Sequence, residues 1–299
     1  MTTGSGNGGN GQTPSPNGNG NGEIQTGGTL TMRMAGSPRS LDPHFDTFPY
    51  NTQVTTNTYN ALLKFTPDLS EIVPDLATGM PEQPDDVTYT FSINPDARWQ
   101  DVEPVNGRAF TAEDVKYSIE RQMTDEAGTF QHAYFFLGKM DSIDVLDEHT
   151  IQFKTDGPYA PFMSYIASPW TLMVNREAVE EYGDVTEHAP GTGPYIFEEW
   201  QRDVSIRLRR NPNYWKQDQF GNQLPYIDEL LFQIVTDDDT AATLFVDGEV
   251  DGAVVGINQT ERVQNGRPDA NYRGCAEPVL AADADDADDA GAALRGAVG

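Results

Sequence analysis

The sequence predicts an α/β fold that carries a smaller α+β portion, and three patterns support this prediction. Apolar and polar residues alternate on both sides of a polar turn over residues 195–209, which is typical of a β-hairpin. A strand–helix–strand pattern follows over residues 230–255, as in the α/β class. Residues 88–153 hold three alternating strands and one amphipathic helix, which indicates an antiparallel sheet with one buried face.

The chain before these patterns begins with a strand. Residues 29–34 alternate, and the turn-rich stretch 36–43 follows as a loop. Residues 54–65 are predicted to form a helix, because their apolar side chains share one face and a proline comes directly after.

Two helices have recognisable ends. Thr111 and Asp114 have the spacing of a capping box, which predicts the start of the amphipathic helix. Asn175 and Gly183 predict the N-cap and the C-terminal end of a short helix over residues 176–182.

Individual residues mark the ends of the elements in the strand–helix–strand pattern. Residues 230–235 are apolar on both faces, as in a sheet that is covered on both sides. Asp237–Asp239 suit the positive end of a helix that Gly248 ends. Residues 253–255 are predicted to begin a second buried strand.

The net charge excludes one class of function. The 299 residues include 47 Asp and Glu against 19 Lys and Arg, a formal charge of -28. Phosphate would be repelled, and the densest basic cluster, Arg207, Arg209 and Arg210, lies beside Glu198 and Glu199. We therefore expect no nucleic-acid partner. The acidity favours a protein solvated in high salt, and a merely acidic secreted protein is the alternative.

Residues that hold metals or form disulfides are sparse. Cys275 is the one cysteine, and the four histidines show no metal-ligand spacing. We therefore expect no metal and no cofactor. The sequence has no run of eighteen apolar residues and no signal-peptide pattern at its start.

The two ends of the chain differ in composition from its middle. Residues 1–27 are rich in Gly and Asn and are predicted to be a disordered tether. Residues 269–299 are predicted to be an aberrant or disordered acidic tail, since Ala, Asp and Gly dominate from 281 onward. A frame change or truncation would explain this tail, and a natural acidic tail is the alternative.

Ordered motifs carry a family resemblance. They are VPDLA (73–77), TYTFSI (88–93), FTAEDVKYSIER (110–121), GTGPY (191–195), F-x-x-W (197–200) and RNPNYW (210–215). In this order the set resembles the family 5 extracellular solute-binding proteins, the peptide/nickel-type receptors of ABC importers. The similarity spans residues 28–260, about the first half of a typical member.

The resemblance implies a domain organisation. The fold would be the first lobe of a type II periplasmic-binding-protein-like structure with an inserted α+β subdomain, the second lobe being largely missing. The main α/β lobe would comprise residues 28–77 and 186–268, and the accessory subdomain residues 78–185.

The resemblance also implies a function and a location. The protein would be the extracellular, cell-surface component of an ABC importer that binds oligopeptide-like solutes without chemistry and delivers them to permease subunits. It would be a monomer, tethered to the membrane by a lipid anchor in the full-length precursor. The lipid-modified cysteine is absent from this chain, which would begin after it or have a start placed too late; an ordinary disordered N-terminus explains the composition equally well.

Candidate ligand-binding residues follow from the same resemblance. Gly36, Ser37 and Pro38 would lie at the cleft mouth, and Phe130 and Tyr134 would line its aromatic side. A connecting loop and an ordinary apolar core are the alternative interpretations. Nickel-, haem- and sugar-binding relatives share the motifs, so the ligand stays open.

Two other classes of protein are alternatives to a solute-binding receptor. A secreted glycosidase or peptidase would need paired carboxylates, and Glu198 with Glu199 or Asp237–Asp239 could be proposed. Adjacent strand residues point to opposite faces, however, and no catalytic nucleophile motif is present. A surface structural protein or a non-functional fragment is the other alternative.

Overall fold

The computed structural model describes residues 26–46, 48–124 and 132–271. The strands are β1 Thr29–Met34, β2 Leu63–Phe65, β3 Ile72–Pro74, β4 Thr88–Ser92, β5 Met140–Asp147, β6 Thr150–Thr155, β7 Tyr195–Gln201, β8 Ser205–Arg210 and β9 Glu229–Ile234. The helices are α1 Pro49–Thr58, α2 Ala112–Met123, α3 Phe162–Ile166, α4 Arg176–Tyr182, α5 Asp238–Asp247 and α6 Thr260–Gly266, with one-turn 3-10 helices at Ala133–Phe135 and Ile257–Gln259. The fold is mixed α/β, as predicted. The tail from 272 and the tether up to 25 lie outside the described residues.

The larger sheet has the order β1-β9-β8-β7. β1 pairs in parallel with β9, and β7, β8 and β9 pair antiparallel. The predicted hairpin is therefore confirmed, with Asp203 in its turn at φ 59°. Met34, Tyr59 and Leu208 belong to the buried cluster that packs against this sheet.

A second sheet, of order β4-β6-β5, is antiparallel as predicted. Helix α2 packs against β5 and β6. Its capping box is present, since Asp114 Oδ2 accepts a hydrogen bond from Thr111 N at 2.9 Å. Phe91, Phe110 and Phe153 belong to the separate core beneath this sheet. These two sheets thus have separate apolar cores, and the short β2–β3 pair packs into the second one.

The helix predicted at 54–65 is wrong at both ends. Helix α1 begins at Pro49 and ends at Thr58, and Leu63–Phe65 forms strand β2 instead. The Thr58 carbonyl oxygen accepts a hydrogen bond from Gly193 N at 2.9 Å, so it is not available to a continuing helix. A distant contact therefore ends the helix.

The strand predicted at 253–255 is also wrong. Only Gly252 bridges to Met32 of β1, and Val254 is 73% exposed. The Arg33 guanidinium donates hydrogen bonds to the carbonyl oxygens of Val254 and Val235. A side chain thus binds carbonyl groups that strand pairing would otherwise use.

A buried ion pair joins the loop after β1 to helix α2. Arg121 Nη2 lies 2.5 Å from Asp42 Oδ2, and the two side chains are 9% and 3% exposed. Arg121 Nη1 also lies 2.8 Å from His44 Nδ1, and His44 Nε2 lies 2.9 Å from the Leu172 carbonyl oxygen. Nδ1 therefore accepts and Nε2–H donates, which is the arrangement of a neutral imidazole.

The pKa values of Asp42 and His44 are both lowered in this group. Although burial opposes its ionisation, Arg121 beside Asp42 holds the pKa of this carboxyl below its ordinary value. Burial, reinforced by Arg121, lowers the pKa of His44 to about 3. The structure is thus built for a charged Asp42 and an uncharged His44.

Replacing the cation of this pair should destabilise the fold strongly. Arg121→Met leaves the Asp42 carboxylate buried without its partner, so we expect the free energy of unfolding to fall by about 3 kcal/mol or more. Urea unfolding at neutral pH measures the effect. Arg202→Met is the matched control, because the Arg202–Glu187 pair is 53% and 64% exposed and should change stability little. Equal losses in the two variants would contradict the assignment.

Acidification should destabilise the protein through His44. Its folded-state pKa of about 3 lies below the ordinary 6.5, so the unfolded chain binds the proton first. Stability is lost as the pH falls below 6.5, by about 1.4 kcal/mol per pH unit. Protonation of Asp42 reduces stability only when the pH falls below about its ordinary pKa of 3.8, outside the range of this measurement. Urea unfolding from pH 6.5 to about 5 should show a shallower slope for His44→Gln. Identical slopes would show that His44 is not the group.

Candidate functional site

The loop that leaves the carboxyl end of β1 presents free main-chain groups. Gly36 and Ser37 are half-buried. Their main-chain amide and carbonyl groups make no hydrogen bond to any residue that the structure describes. Unpaired peptide groups in a structured loop are available to a ligand. Pro38, the third predicted residue here, is buried and has no N–H to offer.

Two aromatic side chains hold this loop in place. A Cβ at Gly36 would lie 2.6 Å from Cε2 of Tyr50 in α1, so a larger residue at this position would displace that ring. Trp200 Nε1 in β7 donates a hydrogen bond to Ser37 Oγ at 3.3 Å. The free peptide groups are thus fixed by one helix and one strand.

The next residues form a second anchor. Arg39 N donates to Asp46 Oδ2 at 3.0 Å, and Phe48 N donates to Asp46 Oδ1 at 3.1 Å. The Arg39 guanidinium lies 4.2 Å from the centroid of the Phe48 ring. Phe48 is 48% exposed, so an apolar and cationic surface adjoins the free peptide groups.

Of the two predicted aromatic residues, the structure describes Tyr134. Its side chain is 59% exposed, whereas Phe135 next to it is buried and stacks on Tyr165 at 3.8 Å. Phe130 lies outside the described residues. No hydrogen bond or ring contact is found between Tyr134 and the described residues 36–38. The structure therefore brings Gly36 and Ser37 together but does not join Tyr134 to them.

The carboxylates considered for catalysis have structural partners or face solvent. Glu198 and Glu199 are both exposed, at an irregularity of the β7–β8 pairing. Asp237 Oδ1 caps α5 by accepting from Thr240 N at 2.8 Å, and Asp238 pairs with Arg33 at 2.8 Å. Among the described residues, no group of three or more His, Cys, Asp and Glu is placed to hold a metal.

A cavity of about 520 Å³ lies elsewhere, between the 98–107 and 212–223 loops. Of the predicted ligand-binding residues that the structure describes, none lines it. Its wall includes the exposed Arg98 and the buried Tyr214. It is separate from the loop that follows β1.

Sequence reasoning missed the residues that support the loop. Tyr50 lies in a segment without clear periodicity, and nothing in the sequence marks its contact with Gly36. Trp200 was placed in the hairpin and in the F-x-x-W motif, and neither predicts its hydrogen bond to Ser37. Arg121 shares a helix face with the polar Ser118 and Gln122, which reads as an exposed face in the sequence, and only the structure shows that these side chains are buried.

No helix in the described ranges has the length and apolar character that a membrane span requires.

Comparisons with known proteins agree with the motif resemblance. Residues 71–277 match the model of the bacterial extracellular solute-binding proteins, family 5 Middle. Di/tripeptide-binding protein 2 of Pseudomonas aeruginosa is 27% identical over 226 residues, which cover 70% of this chain and 41% of that protein. The glutathione-binding protein GsiB of Salmonella typhi is 28% identical over 211 residues, covering 70% of this chain and 39% of that protein.

A solved structure supports the same relationship. The fold superimposes on the periplasmic binding protein DppA from Helicobacter pylori, in complex with the peptide STSA, with a TM-score of 0.70 at 25% identity. The match covers 81% of this chain and 49% of the other chain.

The chain spans about two fifths of the length of the curated relatives that it matches. The family model nevertheless covers more than half of this chain. The chain belongs to the bacterial extracellular solute-binding proteins of family 5.

Proposed function

We propose that this chain is the first lobe of the substrate-binding component of an ABC importer, which binds oligopeptide-like solutes without chemistry and delivers them to a permease. The observation that carries the proposal is the pair of unpaired peptide units at Gly36 and Ser37, held by Tyr50 and Trp200. They offer donors and acceptors of the kind that an extended peptide uses.

Main-chain recognition explains why peptides are the favoured ligand class. An extended peptide pairs its own N–H and C=O groups with free backbone groups, and its side chains are left to adjacent pockets. The two curated relatives reported above are named for di- and tripeptides and for glutathione, which are peptides. A matched solved structure holds agropinic acid instead. Nickel, haem and sugars stay as the alternatives.

The proposal also covers the location of the protein and the division of the chain. The protein would lie outside the cell as a monomer, tethered by a lipid anchor in its precursor, and would work in high salt. Residues 28–77 with 186–268 would form the main lobe, and 78–185 the accessory subdomain. Membership in a solute-binding family and the structural use of Asp237 and Asp238 argue against the hydrolase alternative.

Short peptides should stabilise the full-length protein encoded by the gene. Binding to the native state alone raises stability with ligand concentration, by about 2.7 kcal/mol at a hundredfold excess over Kd. We expect the melting temperature in molar KCl to rise with Ala-Ala-Ala and glutathione. Maltose and nickel chloride serve as comparison solutes. A rise with either of these but with no peptide would contradict the proposed ligand class.

The main-chain N–H of Ser37 can be removed without altering a charge. Ser37→Pro lacks this donor, so a solute carbonyl would lose its partner, and we expect peptide affinity to fall about tenfold. Ser37→Ala keeps the N–H and loses only the bond from Trp200, so it is the matched control. Isothermal titration with Ala-Ala-Ala measures both. Equal affinities of the two variants would show that this N–H does not contact the solute.

A further inference from the structure

The Arg39 side chain is accessible to solvent but held in one place. The side chain is 61% exposed, and its guanidinium lies over the Phe48 ring, 4.2 Å from the centroid. The main-chain N–H of Arg39 donates to Asp46 Oδ2 at 3.0 Å, so the backbone of this residue is fixed as well. Arg39 therefore presents a positive charge to solvent from a defined position.

The guanidinium donors of Arg39 are not used by the residues around it. The ion pair with Asp46 is long, with 3.6 Å between Arg39 Nη2 and Asp46 Oδ1. Both oxygens of this buried carboxylate already accept main-chain hydrogen bonds, Oδ2 from Arg39 and Oδ1 from Phe48. No guanidinium N–H of Arg39 donates a hydrogen bond to a residue that the structure describes. Five N–H donors in a planar fork are thus available.

The charge and the fork define the group that would bind to Arg39. A carboxylate accepts two parallel hydrogen bonds from a guanidinium, and such bonds are about twice as strong as those between neutral groups. The formal charge of -28 repels carboxylates from the chain as a whole, so a carboxylate ligand needs an accessible cation. Arg121 does not supply one, since it is 9% exposed and pairs with Asp42. The exposed Arg39 does.

The spacing along the chain places Arg39 close to the free peptide groups. The Cα atoms of Ser37 and Arg39 are at most about 7 Å apart, because an extended chain spans at most about 3.6 Å per residue. An extended solute advances by about 3.4 Å per residue. A carboxylate about two residues along the solute from the peptide group that contacts Ser37 therefore comes within the range of Arg39.

We propose that the Arg39 guanidinium binds a carboxylate of the bound solute, next to the main-chain contacts at Gly36 and Ser37. The proposal rests on the proposed function and narrows the solute class to peptides that carry a carboxylate, at the C-terminus or on an Asp or Glu side chain. Phe48 keeps the guanidinium in position, so less side-chain freedom is lost when the solute binds.

Matched peptides test the contact on the full-length protein in molar KCl, where long-range charge effects are screened. Ala-Ala-Ala against Ala-Ala-Ala-amide tests the C-terminal carboxylate. Tri-alanine amides that carry Glu or Gln at each position in turn test a side-chain carboxylate. In isothermal titration, we expect the carboxylate member of at least one pair to bind about tenfold tighter than its neutral counterpart.

Two variants assign this preference to Arg39. Arg39→Gln should reduce the preference to about twofold or less and leave the affinity of the neutral peptides unchanged, which also shows that the variant is folded. Arg98→Gln is the matched control, because Arg98 is an exposed arginine at the separate cavity and its replacement changes the net charge equally. This control should keep the tenfold preference.

The outcomes separate the carboxylate contact from the proposed function. Equal affinities within every pair overturn the contact and leave peptide binding intact. A preference that persists in Arg39→Gln, or that Arg98→Gln removes equally, also overturns it, because another group or the net charge would then be responsible. Failure of every peptide to bind, whether charged or amidated, refutes the proposed function and the contact that rests on it.

Discussion

The fold depends on the close approach of Gly191 and Gly193 to the carbonyl end of α1. A Cβ at Gly191 would lie 1.9 Å from the Thr58 carbonyl oxygen, and one at Gly193 would lie 2.6 Å from the Thr58 carbonyl carbon. The buried Gln100 amide completes the junction, because Nε2 donates to the carbonyls of Thr58, Gly193 and Tyr195 and Oε1 accepts from Gly191 N. A side chain at either glycine would therefore push helix α1 away from the β7–β8 hairpin and from the loop after β4 that carries Gln100.

This junction also sets the position of the candidate site. Helix α1 carries Tyr50 and the hairpin carries Trp200, and these two side chains hold Gly36 and Ser37. Fixing the helix against the hairpin thus fixes the free peptide groups between them. The family resemblance could predict that this loop binds ligand, because the matching loop of the family lies at the cleft mouth. It could not supply the two supporting contacts, since neither leaves a periodic or capping signal in the sequence.

Elements decided by local chemistry were predictable. Asn175 Oδ1 accepts from Ala178 N at 2.7 Å and Asp237 Oδ1 from Thr240 N at 2.8 Å, so both predicted helix starts are confirmed. Elements decided by distant partners were not predictable. Helix α1 ends where the Thr58 carbonyl accepts a hydrogen bond from Gly193 N. In the stretch 253–255, which was predicted to be a strand, the Val254 carbonyl accepts a hydrogen bond from the Arg33 guanidinium. Local pattern carries no information about which remote donor reaches a given carbonyl.

Recognition through neutral peptide groups is consistent with the charge of the chain. A formal charge of -28 repels carboxylates and attracts amines over long distances in dilute buffer. In molar salt the screening length falls to about 3 Å, so this long-range steering disappears. Contacts that act at hydrogen-bond distance are screened much less. Hydrogen bonds from the peptide groups at Gly36 and Ser37 would therefore persist in the high salt that the acidic composition favours.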